Sequence, residues 1–151
     1  MKDNITRFWS RVIKTEDCWN WTGKPMSGGY GRILFNGKDS PAHRVAYELE
    51  CGPIPAGLEI DHVCHNRICV RPSHLRAVTR KQNNENMSGP YAKSKSGVRG
   101  VRWEKGKWRV QVGHNGKVHH VGYFHDIKEA ESAAIAKRNE LFTHNDLDRA
   151  A

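Results

Sequence analysis

The sequence has few apolar residues and no long apolar segment. Only 37% of its 151 residues are hydrophobic, its mean hydropathy is −0.76, and no run approaches the roughly 20 residues of a membrane-spanning helix. A core this small usually needs a bound metal, a disulfide or a partner to remain folded. The length of the chain predicts one domain or two very small ones. Because no apolar run is long enough, no membrane association is expected.

Acidic residues are also scarce. The chain has 16 Asp and Glu against 25 Lys and Arg, which gives a net charge of +9 and a pI near 9.6. This balance favours a polyanionic partner, and nucleic acid before a membrane, because the sequence has no amphipathic basic helix and no lipidation signal. The alternative is a basic surface without a specific partner.

Cysteine is infrequent, with four residues, and no secretion signal precedes them. The first residues, Met1 to Asn4, are polar and lack an apolar stretch. A cytoplasmic location is therefore expected, and in that reducing compartment metal ligation is favoured over disulfides. Cys51 is expected to be a buried thiol without a ligand role.

A compact Cys/His motif lies just before the middle of the chain. Cys64, Cys69 and His74 are each separated by four residues, which is a spacing that closes a loop around zinc. Tetrahedral zinc needs a fourth ligand, and Cys18 is our choice because tryptophans beside it could shield the site. The alternative is that the three residues share a loop without a metal.

The motif is enclosed by a predicted ββα unit. Residues 58–61 form a strand that delivers His62, and residues 75–78 form the returning strand. A capping box at residues 79–82 starts a helix whose early turns include Asn83. This order of elements predicts that His62 and Asn83, distant in sequence, face one small gap.

These side chains suit phosphodiester hydrolysis. A neutral histidine such as His62 can take a proton from water at physiological pH. Carboxylate and amide oxygens, as in Asp61 and Asn83, suit magnesium, which neutralises charge on the leaving oxygen. An Asp-His pair alone is more often structural, but the adjacent zinc loop favours a site. His43 and Arg44 could orient a phosphate, although solvated side chains are expected there.

The run His62-Val63-Cys64-His65-Asn66-Arg67-Ile68-Cys69, with the downstream His74 and Asn83, resembles the His-Cys box homing endonucleases. These enzymes belong to the broader HNH, or His-Me finger, class. The resemblance covers roughly residues 16–87. It implies that His62 is the general base and that Asn83 is a ligand for magnesium, or for manganese in its place. It also implies that structural zinc is held by Cys64, Cys69, His74 and, upstream, Cys18.

The resemblance has two departures. Asp61 precedes the histidine, as in HNH enzymes, and it is either a second ligand of the catalytic metal or a structural carboxylate. The family's second zinc cluster has no counterpart, because no cysteine follows Cys69. The class also implies products with 5′-phosphate and 3′-hydroxyl ends, and an origin in a phage or mobile element.

Outside this motif, local patterns predict the remaining elements. Residues 3–14 are predicted as one amphipathic helix, residues 18–22 as a short strand, and residues 32–37 as a hairpin. Ser40 is predicted to be the N-cap of a second helix, with proline at its first position, and this helix ends at Gly52.

The last third of the chain has a different sequence pattern. After a polar stretch rich in Gly, Ser and Lys come three predicted strands, at residues 98–103, 108–112 and 118–124. Asp126 and Glu129 form a capping box for a helix that should bury its apolar face: Ile127, Ala130, Ala134 and Leu141. The result is a three-stranded antiparallel sheet packed on one helix.

This part resembles an AP2 DNA-binding domain. The resemblance rests on Gly97-Val98-Arg99-Gly100-Val101-Arg102-Trp103, on Lys107-Trp108-Arg109-Val110, and on Val121-Gly122-Tyr123-Phe124 before the alanine-rich helix. It implies that the sheet enters the DNA major groove, where arginines can contact guanine edges and phosphates. The implied DNA contacts are Arg99, Arg102, Arg109, Gln111 and His120. The alternative is that these polar residues form only the solvated face of the sheet.

The sequence therefore predicts an α+β protein with an HNH-like ββα-metal domain at residues 1–88, a basic linker at 89–96 and an AP2-like domain at 97–145. The predicted function is a metal-dependent endonuclease acting on double-stranded DNA, as a monomeric nickase or as a homodimer that cuts both strands. The alternatives are a non-catalytic, zinc-containing DNA-binding transcription regulator, or a structural or RNA-binding protein.

Overall fold

The computed structural model describes residues 3–90 and 92–150, which form α-helices and small antiparallel sheets. The chain divides into two compact units, residues 1–80 and 81–151. Among the residues described, no helix combines the length and the apolar character needed to cross a bilayer.

The predicted linker, residues 89–96, belongs to the second unit, and Tyr91 within it lies outside the described residues. Its described residues form turns and bends, without a helix or strand. The hydroxyl of Ser96 donates to the main-chain oxygen of Val101 at 2.6 Å. This end of the stretch is therefore bonded to the sheet that follows it.

The first unit begins with helix α1 (Asn4–Trp9) and a hairpin of β1 (Val12–Lys14) and β2 (Trp19–Trp21). The prediction of one helix over residues 3–14 is wrong. Ser10 caps α1, and the β-branched residues that follow pair with β2 instead of extending the helix. Tertiary pairing overrides a helical pattern here.

A second hairpin joins β3 (Arg32–Phe35) to β4 (Lys38–Pro41). The turn between them, Asn36 and Gly37, has positive φ at both residues, 49° and 77°. Two such residues in succession are typical of a type I′ turn, whose twist matches that of the strands. The predicted hairpin is confirmed.

Helix α2 (Ala42–Cys51) follows directly and ends at Gly52, whose φ is 89°. Its N-cap is Pro41 and no side chain caps it, whereas Ser40 lies in β4. The predicted Ser40 cap is therefore wrong, because the strand pairing continues to the start of the helix. Cys51 is exposed at the end of α2, so the expectation of a buried thiol is also wrong.

The predicted strand pair is β5 (Glu59–His62) and β6 (Leu75–Val78), in antiparallel register. A 3₁₀ turn (Pro72–His74) precedes β6 and closes the intervening loop. The core of this unit gathers side chains from α1, both hairpins, α2, this strand pair and the loop between its strands: Phe8, Trp21, Ile33, Ala42, Val45, Ala46, Ile60, Val70 and Leu75. The strand pair is thereby anchored on the core.

Helix α3 (Arg80–Glu85) starts at the last residue of the first unit and lies otherwise in the second. The second unit continues with a three-stranded antiparallel sheet of β7 (Val101–Glu104), β8 (Lys107–His114) and β9 (Lys117–Phe124). A register shift at Val110/Gln111 marks a bulge in the pairing of β8 with β9.

Helix α4 (Ile127–Leu141) packs on this sheet, and the Asp126 carboxylate caps it by accepting two main-chain N–H bonds. Ala130 and Ala134 are fully buried and permit close approach to the sheet. Ile127 and Leu141 are only half-buried, so the predicted apolar face is narrower than expected. A short helix, α5 (Asp146–Ala150), was not predicted.

Candidate metal centre and active site

The four residues predicted to bind zinc converge in the first unit. The ligand atoms of Cys18, Cys64, Cys69 and His74 all lie within 4.8 Å of one another. His74 Nδ1 is 3.7 Å from the Sγ atoms of both Cys18 and Cys69. Around tetrahedral zinc, sulfur and nitrogen ligands stand about 3.6 Å apart, so this donor set fits the ion. The group could hold a metal ion.

Arg71 fixes the two segments that carry these ligands. Its main-chain N–H donates to Cys69 Sγ at 3.4 Å, and its Nη1 donates to the main-chain oxygen of Asp17 at 2.7 Å. The same nitrogen donates to the oxygen of Glu16. Because these carbonyls immediately precede Cys18, one side chain joins the upstream ligand to the downstream loop.

The thiols need a cation to ionise. Burial, together with the neighbouring Cys69 and Cys18, raises the pKa of the Cys64 thiol to about 12 against one opposing main-chain bond. Burial also raises the pKa of Cys69. A bound metal ion reverses this preference because it binds thiolates. The site is therefore suited to a cation and poorly suited to free thiolates.

The metal loop also orients His62, the last residue of β5. His62 is 6% exposed, and its Nε2 lies 3.0 Å from the main-chain oxygen of Cys69. A carbonyl oxygen can only accept, so we infer that Nε2 carries the proton. In the neutral imidazole, Nδ1 is then the nitrogen that can accept a proton.

The surroundings keep His62 neutral. Burial lowers its pKa, as do the charges of His65 and Arg67. The bond to the Cys69 carbonyl and the charge of Asp61 oppose this shift without reversing it. A pKa below the ordinary 6.5 leaves the imidazole uncharged at pH 7, with Nδ1 free of a proton, which is the state that a general base requires.

Two further rings pack around His62, and of these only His43 was a candidate residue in the sequence. The His43 ring centroid lies 4.8 Å from that of His62, and the Tyr30 ring lies 5.1 Å from His43. His43 is 7% exposed, so its expected solvation is wrong, and burial lowers its pKa to about 3. The helical period of α2 places His43 beside the buried Ala42 and Ala46, and this pattern is the sequence signal that indicates its burial.

Asp61 is held by its neighbour across the strand pair. Its Oδ2 accepts from Nε and Nη2 of Arg76, each at 2.9 Å, and the residue is 6% exposed. This ion pair supports a structural role for the carboxylate, and its ligation of a catalytic metal stays a prediction. Asn83 lies on α3 in the second unit, and its approach to His62 also stays a prediction.

In the second unit, three predicted DNA contacts share one face of the sheet. Arg102 and Arg109 are directly opposed on β7 and β8, and both form ion pairs with Glu104, at 3.0 and 3.1 Å. Arg109 Nη2 also lies 3.0 Å from Nδ1 of His120, and Tyr123 on this face is 57% exposed. The face therefore presents cations beside an exposed aromatic ring.

Arg99 and Gln111 are placed differently. The guanidinium of Arg99 donates to main-chain oxygens of Asn84 and Glu85, at 2.8 and 2.9 Å, and so is engaged within the unit. Gln111 is half-buried, and its main-chain N–H donates to Gly100 at 2.9 Å. DNA contacts by the five predicted residues stay predictions.

Comparison with known proteins gives several matches. Residues 40–85 match the family model described as HNH endonuclease. Over 72 residues the chain is 46% identical to protein 7.7 of Escherichia phage T7, covering 48% of this chain and 55% of that protein. Over 101 residues it is 36% identical to protein 3.8 of the same phage, covering 66% of this chain and 82% of that protein. Over 135 residues it is 28% identical to an uncharacterised HNH endonuclease of Acanthamoeba polyphaga mimivirus, covering 89% of this chain and 66% of that protein.

The chain spans 55% of protein 7.7 and 52% of protein 2.8 of phage T7, so these relatives have segments that it does not match. No solved structure is significantly similar to it. The match to protein 3.8 extends over most of that protein, and the family model spans α2, the metal loop, the strand pair and α3. The chain therefore belongs to the family of phage T7 protein 3.8, and its residues 40–85 form an HNH endonuclease domain.

Proposed function

We propose that this protein is a metal-dependent DNA endonuclease in which His62 is the general base. The observation that carries the proposal is the bond between His62 Nε2 and the Cys69 oxygen. It fixes the ring through a residue of the candidate metal centre and leaves Nδ1 as the proton acceptor. The HNH match of residues 40–85 includes this strand and loop.

In the proposed reaction, His62 Nδ1 takes a proton from a water molecule whose oxygen attacks phosphorus. The P–O3′ bond breaks, the leaving O3′ takes a proton from solvent water, and the products carry 5′-phosphate and 3′-hydroxyl ends. Oxygen donors from Asn83 and, as an alternative to its structural role, Asp61 would hold a magnesium or manganese ion, which when bound neutralises charge on the leaving oxygen. The His43 ring, whose centroid lies 4.8 Å from that of His62, contributes to the burial that lowers the pKa of His62 and favours the neutral base.

We assign the Cys18, Cys64, Cys69 and His74 group to structural zinc. The separation of 3.7 Å between Sγ and Nδ1 atoms supports this ion, and all four positions are occupied by protein side chains. A closed, four-ligand site is typical of structural zinc, whereas catalytic zinc keeps one position open. Its task is to hold the loop that carries the Cys69 carbonyl.

The second unit would supply DNA affinity through an AP2-like sheet. Support comes from the cationic face of Arg102, Arg109 and His120 and from the net charge of +9. A β-sheet can enter the major groove and present arginines to guanine edges. The phage relatives fit a protein of phage or mobile-element type, and the HNH endonuclease match supports double-stranded DNA as the proposed substrate.

Nicking of supercoiled plasmid, with Mg²⁺ and with a chelator, tests this proposal. His62→Ala should lower the rate by at least about a hundredfold while binding to DNA persists. His125→Ala, at an exposed histidine in the second unit, is the matched control and should cut normally. Wild-type activity in His62→Ala would refute the assigned base. Binding without cleavage by the wild type would favour the transcription-regulator alternative.

A further inference from the structure

Helix α3 cannot be stable by its own sequence. It has six residues, all polar, and its one buried residue is Glu85. Isolated helices shorter than about 12 residues are marginal in water, and most helices in proteins gain stability by burying an apolar face. Other contacts must fix α3, and they matter because this helix carries Asn83.

Arg99 supplies the first of these contacts. Its guanidinium donates to the main-chain oxygens of Asn84, Glu85 and Met87, at 2.8, 2.9 and 3.3 Å. Carbonyls at the end of a helix have no partner within it, and positive charge is favourable there. The guanidinium carbon also lies 5.3 Å from the ring centroid of Phe142. Arg99 therefore acts as a C-terminal cap for α3.

Glu85 supplies the second contact. Its Oε2 accepts from the N–H and the hydroxyl of Thr143, at 2.9 and 3.0 Å, and from the N–H of His144 at 3.3 Å. Its Oε1 pairs with Lys81 Nζ at 2.8 Å. The Glu85 side chain is only 5% exposed, so this set of bonds replaces the water it has lost.

Asn86 adds a third contact just beyond the helix. Its side-chain oxygen accepts from the N–H of Asp146 at 3.0 Å, and the residue is 3% exposed. The HNH family match ends at residue 85, whereas Arg99, Thr143 and Asp146 lie after it. The last helix of the match is thus held by parts of the chain that the family model does not include.

We propose that Arg99 and Glu85 are positioning residues for Asn83, which set the direction of its side chain by fixing the backbone of α3. This inference rests on the proposed nuclease function, in which Asn83 binds the catalytic metal. It replaces the predicted DNA contact of Arg99 with a role inside the second unit. Residues after the HNH domain then determine metal affinity as well as DNA affinity.

Hydrogen exchange of the full chain tests the anchoring without any need for cleavage. Arg99→Lys keeps the charge and loses the forked donor, and Glu85→Gln loses the carboxylate. Each should speed exchange of the amides at residues 83–88 by about tenfold, because a charged hydrogen bond is lost. Arg102→Lys, the same change on the sheet face, should not. Unchanged exchange, or equal acceleration throughout β7, β8 and β9, would overturn the proposal.

Metal binding tests the consequence for Asn83. Mn²⁺ affinity, measured by paramagnetic resonance on zinc-loaded protein, should fall about tenfold in Arg99→Lys, as for other residues that support a metal ligand. The Mg²⁺ concentration for half-maximal nicking should rise equally, with the same maximal rate and the same DNA affinity in chelator. Normal metal dependence with weakened DNA binding would show that Arg99 contacts DNA.

The two proposals fail in different ways. If the wild type binds Mn²⁺ but does not cut DNA, the nuclease function is refuted while the positioning role is decided by Mn²⁺ affinity. If the wild type cuts DNA and Arg99→Lys binds Mn²⁺ normally, the nuclease function stands and the positioning role is refuted. Arg99→Ala is less suited because it can unfold the unit.

Discussion

The two units stabilise small cores by different means. In the first unit, nine buried apolar residues form the core, and the loop that carries the proposed chemistry is closed by a Cys/His group. In the second, the core is smaller: Val101, Val110, Ala130 and Ala134. Buried polar residues accompany it, and each makes specific bonds: Glu85, Asn86, Arg138 and Asn145.

The difference concerns what must be present for each unit to fold. A metal centre makes folding dependent on an external ion, and its loss removes several cross-links at once. A buried polar network needs nothing external, but removal of one member leaves its partners unsatisfied. The first unit should therefore respond to chelators, and the second to single substitutions in its ion pairs.

The largest expected effect is the loss of the metal centre. Cys64→Ser should lose zinc and unfold the first unit, since structural zinc contributes on the order of 10 kcal/mol in small metal-dependent folds. Zinc content and hydrogen exchange of β5 and β6 measure this outcome. Nicking should be abolished because the Cys69 carbonyl no longer holds His62.

Cys51→Ser provides the matched control, because Cys51 is an exposed thiol outside the group of four. It should keep its zinc and its unfolding free energy. If Cys64→Ser also kept normal exchange in β5 and β6, the metal would be unnecessary for the fold and the contrast between the units would disappear.

A smaller effect is expected from the buried ion pair of the second unit. Arg138, on α4, is 6% exposed and pairs through Nε and Nη2 with Asp148, which is 18% exposed, at 2.5 and 2.9 Å. Asp148→Ala leaves a buried guanidinium without its partner and should cost about 2–3 kcal/mol in the unfolding free energy of this unit. Hydrogen exchange of β8 measures that free energy separately.

An exposed pair on the same helix is the comparison. Lys137 and Glu140 are 2.8 Å apart, and Glu140 is 63% exposed. Glu140→Ala should therefore cost at most about 0.5 kcal/mol. Equal costs for the two substitutions would show that burial does not strengthen the Arg138 pair.

The same buried pair predicts a pH dependence. Burial acts to raise the pKa of Asp148, but the hydrogen bond and charge of Arg138 outweigh it, and the pKa lies below its ordinary 3.8. Stability from a lowered pKa is present above the unfolded value and is lost as pH falls through the folded one. The difference in unfolding free energy between wild type and Asp148→Asn should be full at pH 7 and shrink below pH 3.8. A difference that did not vary with pH would contradict this account.

The sequence was most informative where spacing alone limits geometry. Cys64, Cys69 and His74 lie in one short loop, so their ligand atoms cannot lie far apart. The turn at Asn36 and Gly37 is equally local, because both residues tolerate positive φ. Such features need no knowledge of distant parts of the chain.

The sequence was least informative where separate elements meet. Tyr30, His43 and His62 come from a loop, a helix and a strand, and their rings touch only in the folded unit. Arg99 shows the same limit: its DNA contact stays a prediction, and the sequence carries no sign of its bonds to the main-chain oxygens at the end of α3. A short polar helix gives no local sign of the residues that hold it.

The smallest expected effect on stability comes from a substitution on the exposed sheet face of the second unit, in contrast to its interior. Arg102 is 57% exposed and paired with Glu104, so Arg102→Ala should leave the unfolding free energy within about 0.5 kcal/mol of wild type. If the residue contacts a guanine edge, discrimination between a sequence selected by the wild type and random DNA should fall by about 1–3 kcal/mol. Lys128→Ala, which removes one charge from an exposed position on α4, should leave that discrimination unchanged. A uniform loss over all sequences would instead identify Arg102 as a phosphate contact, because backbone charges carry no sequence information.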